Sequence, residues 1–364
     1  MFQGHSLKQF KTLTKRNQVC NIWSICTCYD ISFITLNYPR KLSDSKPYMQ
    51  FETVCIIGPG LIGGSIGLGL KKRNLARTVI GVSHRASSLE KARKVNAIDI
   101  GVLQVDKAVK DADIVILATS VNQIIHSVRE VLPFMKSNAI LTDVGSTKGC
   151  IVEHINRNKR DDVAFVGVHP IAGSEKKGVE FASPDLFVDS TCIITPSHAG
   201  ESDDERAGGR ETGDSDSHPC NSPFSQPRSD YSAALETVTC LWQLLGAKIV
   251  FMSPQQHDEI LAQVSHLPHL VATCLINAIR KEHLQYGASG LRDTTRVASG
   301  DPALWLDIFD QNRENIIKSI DQLVNELSGF KEDLSNKDNA GLLNRLKAAK
   351  LLRDSVFNTK SKSG

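Results

Sequence analysis

No stretch of about 20 uninterrupted apolar residues occurs in this 364-residue chain, so the sequence offers no run of the length that a bilayer-spanning helix needs. Charge of one sign is equally scarce. The formal net charge is +3 and is spread along the chain, so neither nucleic acid nor an acidic membrane surface is an expected partner. A secretory pattern is missing at the N-terminus. The nine cysteines show neither metal nor disulfide spacing. Cys26 and Cys28 are only two apart, and Cys55, Cys150, Cys192, Cys240 and Cys274 are isolated in apolar or mixed surroundings. Such cysteines read as free thiols in a reducing compartment, and the expected location is the cytoplasm. What is present is ordinary for a soluble globular protein, with 41% apolar and 23% charged residues. The length suits two domains at roughly 100–200 residues each.

Residues 1–48 do not read as part of the fold. Lys8, Lys11, Lys15 and Arg16 all precede the first acid, Asp30, a faint likeness to an organelle transit segment. Met49 stands just before the first strong strand and is the simpler start. Residues 1–48 are therefore expected to be a disordered extension without function. From Glu52 the pattern alternates. Strands are predicted over 53–58, 77–82, 113–119, 139–143, 164–168 and 192–195, with helices over 63–72 and 89–95 between the first of them. Continuous apolar strands separated by helices imply burial on both faces and a parallel, doubly wound sheet. Residues 197–230 break the pattern: Ser, Asp, Glu, Gly and Pro dominate, and only Phe224 is strongly apolar. That composition predicts a flexible insertion. A helix over 233–245 and a strand over 248–252 then complete the first domain.

After Ser253 only helical patterns remain. Apolar positions recur over 257–284 through Ile260, Val264, Leu267, Val271, Leu275 and Ile279. Asp301 and Pro302 supply an N-cap and a first-turn proline for a helix through Trp305 and Phe309. Ile316, Ile320, Leu323 and Leu327 extend an apolar stripe, and 341–357 reads as a last amphipathic helix. The predicted fold class is an α/β Rossmann-type domain with a doubly wound parallel sheet, 49–252, followed by an all-α domain, 253–357. A small helical domain with long apolar stripes is expected to pack against a copy of itself, giving a homodimer.

Six motifs carry the chemistry. Gly58-Pro-Gly60-Leu61-Ile62-Gly63 follows a strand and opens a helix. In a dinucleotide site the first glycine allows the turn, the second lets backbone approach a pyrophosphate, and the third lets helix and strand pack closely. The expected cofactor contacts are these residues together with Thr119 at the end of the third strand. The second strand ends on Ser83-His84-Arg85, with no acid. NAD sites place a carboxylate there for the ribose hydroxyls, whereas Ser and Arg suit a 2′-phosphate. NADP is thus favoured over NAD, with Arg85 as a plain surface charge and NAD as cofactor the alternative.

Asp143-Val-Gly145-Ser146-Thr-Lys148 lies at the carboxyl end of a buried strand, where ligands bind in open α/β sheets. Ser146 serves the site or simply caps a helix. His169, in His169-Pro-Ile-Ala-Gly173-Ser174-Glu175, follows another strand directly and is a candidate catalytic base. On the first helix of the second domain, Asp258, Ser265 and His269 share one face at offsets of seven and eleven, and Pro268 is expected to kink the helix. His266 and His269 find no third ligand set, so no metal site is expected. Last, Gly290-Leu-Arg292-Asp293-Thr294-Thr295-Arg296 precedes Trp305. It suits either an ion-pair cluster or capture of an anionic substrate.

Taken together, GPGLIGGS, DVGSTK, HPIAGSEKKGVE, HDEILAQVSHLPHLVA and GLRDTTRVA followed by DPALW resemble the prephenate/arogenate dehydrogenase family. The likeness runs from about Val54 to about Leu327 and omits residues 1–48 and 197–230. Neither a chorismate mutase segment nor a regulatory domain is evident, which implies the monofunctional form. The resemblance implies that prephenate is oxidised and decarboxylated on the route to tyrosine. His169 would accept the ring hydroxyl proton and Ser146 would orient that hydroxyl. Arg296 would hold a substrate carboxylate, with Glu175 and Asp293 in a local ion network. His269 would contact the pyruvyl end, while His257 and Trp305 line the cleft. A hydrogen-bonding His269 suits prephenate over arogenate, whereas Ser83-His84-Arg85 is similar to the segment of NADP-dependent arogenate dehydrogenases. Two other classes share the architecture. A β-hydroxyacid dehydrogenase would use a lysine in the helical domain and leave the His169 motif unexplained. A non-catalytic NADP(H) sensor would bind without turnover.

Overall fold

The computed structural model describes residues 50–173, 176–196 and 231–357. The expectations for 1–48, for 197–230 and for Glu175 lie outside the described residues.

Eight strands form one sheet in the order β3-β2-β1-β4-β5-β6-β7-β8. They are β1 (Phe51–Ile57), β2 (Ala76–Val82), β3 (Ile100–Val102), β4 (Ile114–Leu117), β5 (Ile140–Asp143), β6 (Ala164–Ile171), β7 (Thr191–Thr195) and β8 (Lys248–Phe251). The helices between them are α1 (Leu61–Lys72), α2 (Ala86–Lys94), α3 (Val105–Val109), α4 (Val121–Val131), α5 (Gly149–Asn158) and α6 (Tyr231–Leu244). Side chains alternate across a strand, and here both faces are covered. Val54 and Ile56 join a core with Ile66 and Leu70 of α1 and Trp242 of α6. Cys55 and Ile57 join a second core with Ile124 and Val128 of α4 and Ile151 of α5. Each such buried aliphatic side chain stabilises the fold by about 1.5–3 kcal/mol. This double burial is why β4 is apolar at every position.

The first six strands are mutually parallel, as the alternating pattern predicts. β7 departs from it. It runs antiparallel to β6, with Ile171 opposite Thr191 and Gly167 opposite Thr195. Among its described residues, the connection from Ile171 contains a short 3-10 turn, Val179–Phe181, and no crossover helix. The chain therefore re-enters beside the end of β6 and runs back along it. β8 is parallel to β7 again, after α6.

From Ser253 the elements are helical: α7 (Pro254–Leu261), α8 (Leu267–Ala278), α9 (Ser289–Thr295), α10 (Pro302–Gln311), α11 (Arg313–Ser335) and α12 (Asn339–Phe357). Ser253 starts α7 with a reciprocal capping box, its Oγ accepting the Gln256 N–H while Gln256 Oε1 accepts its own N–H, each at 3.1 Å. Asp301 caps α10 as expected. The helix expected over 257–284 ends at Ala278, and its kink takes a different form. Pro268 has no N–H and its ring crowds the preceding turn. The chain answers with a π-helical turn over Ala262–His266, in which Leu267 N–H reaches the Ala262 carbonyl.

By length and composition, Pro254–Ala278 is apolar enough to cross a membrane. Yet it is interrupted by this π turn and carries buried His257, Asp258 and His266. The apolar stripes of α11 and α12 are exposed: Leu327, Leu334, Leu346, Leu351 and Phe357 each show more than half of their surface.

Candidate active site

The glycine turn bears the marks of a dinucleotide cradle. Gly58 has φ +89°, and a Cβ there would lie 2.6 Å from Thr119 Cγ2 and 2.7 Å from the Ala118 carbonyl oxygen. A Cβ on Gly63 would collide with the Gly58 carbonyl and sit 3.0 Å from Ile56 Cγ2, so α1 can approach β1 only with glycine at this point. Gly60 faces open space, with nothing within 4 Å of where a Cβ would stand. It is also the N-cap of α1, so the first N–H groups of that helix, through Leu61, Ile62 and Gly63, are presented at its positive end. The buried Thr119 hydroxyl has no hydrogen-bond partner among the described residues. An open approach, unsatisfied donors and an orphaned hydroxyl fit a pyrophosphate-bearing ligand. A recess of about 440 Å³ continues from Gly58 and Gly60 to Ser83, Ser88 and Lys91. Ser83 is half-buried and its Oγ accepts the Arg85 N–H at 3.3 Å, while His84 and Arg85 are exposed.

His169 stands at the carboxyl end of β6, half-buried. Its Nδ1 lies 2.8 Å from Nε2 of His257, with ring planes 60° apart. His257 is fully buried beneath it and its Nδ1 meets Asp258 Oδ1 at 2.8 Å. The Asp258 carboxylate in turn accepts two backbone N–H groups at the start of α5, those of Lys148 and Gly149, each at 2.8 Å. It takes the place at that helix end which Ser146 was one candidate to fill. Lys148 is also buried. Its Nζ donates to Asp143 Oδ2 and, at 2.9 Å, to the Val168 carbonyl, directly before His169. Asp143 Oδ1 accepts the Val168 N–H at 3.3 Å, so the Asp143–Lys148 pair holds both backbone polar groups of one β6 residue, Val168. Burial holds His169 well below the ordinary histidine range, and the neighbouring His257 and Lys148 act in the same direction. Burial lowers His257 as well, against the pull of Asp258. Both rings are therefore neutral near pH 7.

The second domain supplies a cleft of about 570 Å³ whose wall includes Ser120, Lys176, Lys177, Arg296 and Trp305. Lys177 Nζ meets Asp301 at 2.5 Å and so ties the loop after β6 to the start of α10. Lys177 also borders the dinucleotide recess, which makes the two spaces adjacent. His269 lies flat on Trp305, ring centroids 3.6 Å apart and planes 14° from parallel. Its Nδ1 is buried without a hydrogen-bond partner among the described residues, and burial lowers its pKa. Asp293 is exposed and pairs with its neighbour Arg292 at 3.6 Å. Among the described residues Ser146 is half-buried in the turn before α5 and makes no side-chain hydrogen bond to His169. His266 and His269 do not converge on a common point: His266 Nδ1 meets Asn312 Nδ2 at 3.1 Å, whereas His269 faces Trp305.

Two family descriptions match the chain, prephenate dehydrogenase, nucleotide-binding domain, over residues 66–206, and prephenate dehydrogenase, dimerization domain, over 253–348. The prephenate dehydrogenase of Bacillus subtilis (strain 168) is 31% identical over 312 residues, covering 84% of this chain and 76% of its own length. The chain belongs to the prephenate dehydrogenase family. Solved structures agree. That of prephenate dehydrogenase from A. aeolicus in complex with hydroxyphenyl propionate and NAD+ has a TM-score of 0.71 at 29% identity, covering 85% of this chain and 99% of that one. Synechocystis arogenate dehydrogenase has a TM-score of 0.64 at 27% identity, covering 84% and 99%.

For this prephenate dehydrogenase family member, four side chains escaped sequence reasoning. Lys148 was visible as part of DVGSTK, but its burial was not. Asn312 breaks α10 from α11 and its Nδ2 lies 2.7 Å from the Asp258 carbonyl, with no sequence signal to mark it. Lys91 and Lys177, which border the glycine-turn recess, belong to no candidate set read from the sequence. The face of the first helix also changes membership. The π turn adds a residue to one turn, which carries His266 to the buried side and leaves Ser265 half-buried.

Proposed function

We propose that this chain oxidises prephenate at the carbon bearing the ring hydroxyl, with loss of the ring carboxylate as carbon dioxide, to give 4-hydroxyphenylpyruvate on the route to tyrosine. The observation that carries this reading is His169: a histidine kept neutral at the carboxyl edge of the sheet, on the same edge as the glycine turn. A bound nicotinamide cofactor supplies the hydride acceptor. His169 takes the hydroxyl proton as the carbon becomes a carbonyl. The bond to the ring carboxylate then breaks, its electron pair enters the ring, and a proton returned to the carbonyl oxygen completes the phenol. General-base help of this kind is typically worth 10²–10⁴-fold. Ser146 orients the hydroxyl from the turn before α5. Arg296, beside Lys176 and Lys177 in the cleft, holds a substrate carboxylate. His269, stacked on Trp305 of the cleft wall, contacts the pyruvyl end.

NADP is the proposed cofactor. The end of β2 has no acid, and Ser83, Ser88 and Lys91 border the recess where a 2′-phosphate would lie. A second copy of the chain is the proposed cover for the exposed leucines of α11 and α12.

The test is reduced-cofactor absorbance with prephenate or arogenate, each with NAD or NADP. Turnover of prephenate, faster with NADP, is expected. Turnover of arogenate alone would overturn the reading of His269. Dinucleotide binding without turnover in all four mixtures would overturn the proposed activity.

A further inference from the structure

Between the start of α5 and the catalytic edge, three side chains form a single line. Asp258 meets His257 at 2.8 Å, and His257 meets His169 at 2.8 Å. Asp258 is contributed by the helical region, 109 residues from the Gly149 N–H that its carboxylate accepts. We propose that Asp258 sets the tautomer of His169 by way of His257, so that docking of the helical region onto α5 is what readies the base. The proposal rests on His169 being the base of the reaction above.

The argument is one of donors and acceptors. A carboxylate accepts hydrogen bonds and has no proton to give, and this one already accepts two N–H groups at the start of α5. The proton in the Asp258–His257 contact must therefore belong to His257 Nδ1. A neutral imidazole carries one N–H, so His257 Nε2 is left with its lone pair. The contact at 2.8 Å between that atom and His169 Nδ1 is a hydrogen bond only if His169 Nδ1 carries the proton. His169 Nε2 then has a free lone pair and can take a proton from substrate. The opposite order would set two protons or two lone pairs face to face at one of the contacts.

The surroundings keep the line in register. Asn312 Nδ2 lies 2.7 Å from the Asp258 carbonyl and 3.1 Å from His266 Nδ1, which fixes α7 at this residue. The Asp143–Lys148 pair fixes the backbone before His169. Asp258 and His257 are thus positioning residues. A competing, purely structural role for Asp258 is to cap α5 and hold the domains together.

The two roles separate in the full chain labelled with ¹⁵N-histidine and observed without substrate, where ring-nitrogen shifts report the tautomer. His169 is expected to carry its proton on Nδ1; finding it on Nε2 in the unaltered protein overturns the proposal without any variant. In Asp258→Leu the acceptor for the His257 Nδ1–H is gone, so His257 can carry its proton on Nε2 and the proton of His169 should move, at least in part, to its own Nε2. Turnover should fall by roughly 10²-fold or more, with dinucleotide affinity unchanged. His257→Gln places an acceptor near the former Nε2 and should keep turnover at least tenfold above that of His257→Leu. An unchanged His169 tautomer in Asp258→Leu, or equal turnover in the two His257 variants, overturns it. Because the tautomer is read without substrate, absence of prephenate or arogenate turnover would defeat the proposed function and leave this measurement standing.

Discussion

Lys148 and Asp143 expose none of their side-chain surface, and the ammonium of one meets the carboxylate of the other beside the Val168 backbone of β6. Removing two charges from water is costly, and such a pair is sustained only when the remaining polar valences are filled. Here they are filled by the N–H and carbonyl of Val168 and by the Gly145 N–H. Lys148→Met leaves a buried carboxylate without its cation and should lower the unfolding free energy by about 3–5 kcal/mol. Urea denaturation checks this; a loss under 1 kcal/mol would show that water reaches Asp143.

Stability should fall on the acid side of neutrality. Burial lowers the pKa of His169 and His257, and brings that of His266 to about 4, from 6.5 in the unfolded chain. Between those values the unfolded chain binds more protons than the folded one, so the unfolding free energy rises with pH. The full stability is present above pH 6.5 and declines from there to about pH 4. Urea midpoints measured from pH 4 to 8 should show that slope, and His266→Gln should make it shallower. A flat profile across the range would contradict the burial argument.

Arg296→Gln should act on binding. Loss of a charged hydrogen bond to a carboxylate costs about 1.5–3 kcal/mol, or roughly 10–100-fold in substrate KM, with kcat changed much less. Steady-state kinetics separates the two constants. A change confined to kcat would assign Arg296 to the transition state instead.

Cofactor choice should respond to the cations beside the recess. Arg85→Ala combined with Lys91→Ala should raise the KM for NADP by about tenfold or more and leave that for NAD nearly unchanged. Lys91 is paired with Glu180 at 3.2 Å, so Glu180→Gln should release it and favour NADP further. Equal losses with both cofactors would mean that neither residue reads the 2′-phosphate.

Much of the framework is legible in local sequence. Apolar runs such as IVIL mark strands covered on both faces, and the glycines at 58, 60 and 63 mark a tight turn into a helix. His169 directly after an apolar run is placed by the same logic at the sheet edge. These readings succeed because burial period and turn geometry are properties of neighbouring residues.

Other features depend on residues far apart in the chain. β7 has the composition of its neighbours, and its direction follows only from where the connection after Ile171 leaves the chain. Helical spacing selects Ser265, but Pro268 forces a π turn that brings in His266. Helical spacing groups Asp258 with Ser265 and His269 on one face, whereas the structure has Asp258 bind the start of α5 and, with His257, reach His169. Sequence by itself determined seven of the eight strands, the first two helices and the sheet edge that carries the glycine turn and His169, because side-chain period and glycine geometry act over a few residues. Only the tertiary structure decided the protonation and orientation of His169, because a buried donor must take whatever acceptor packing brings within hydrogen-bond reach.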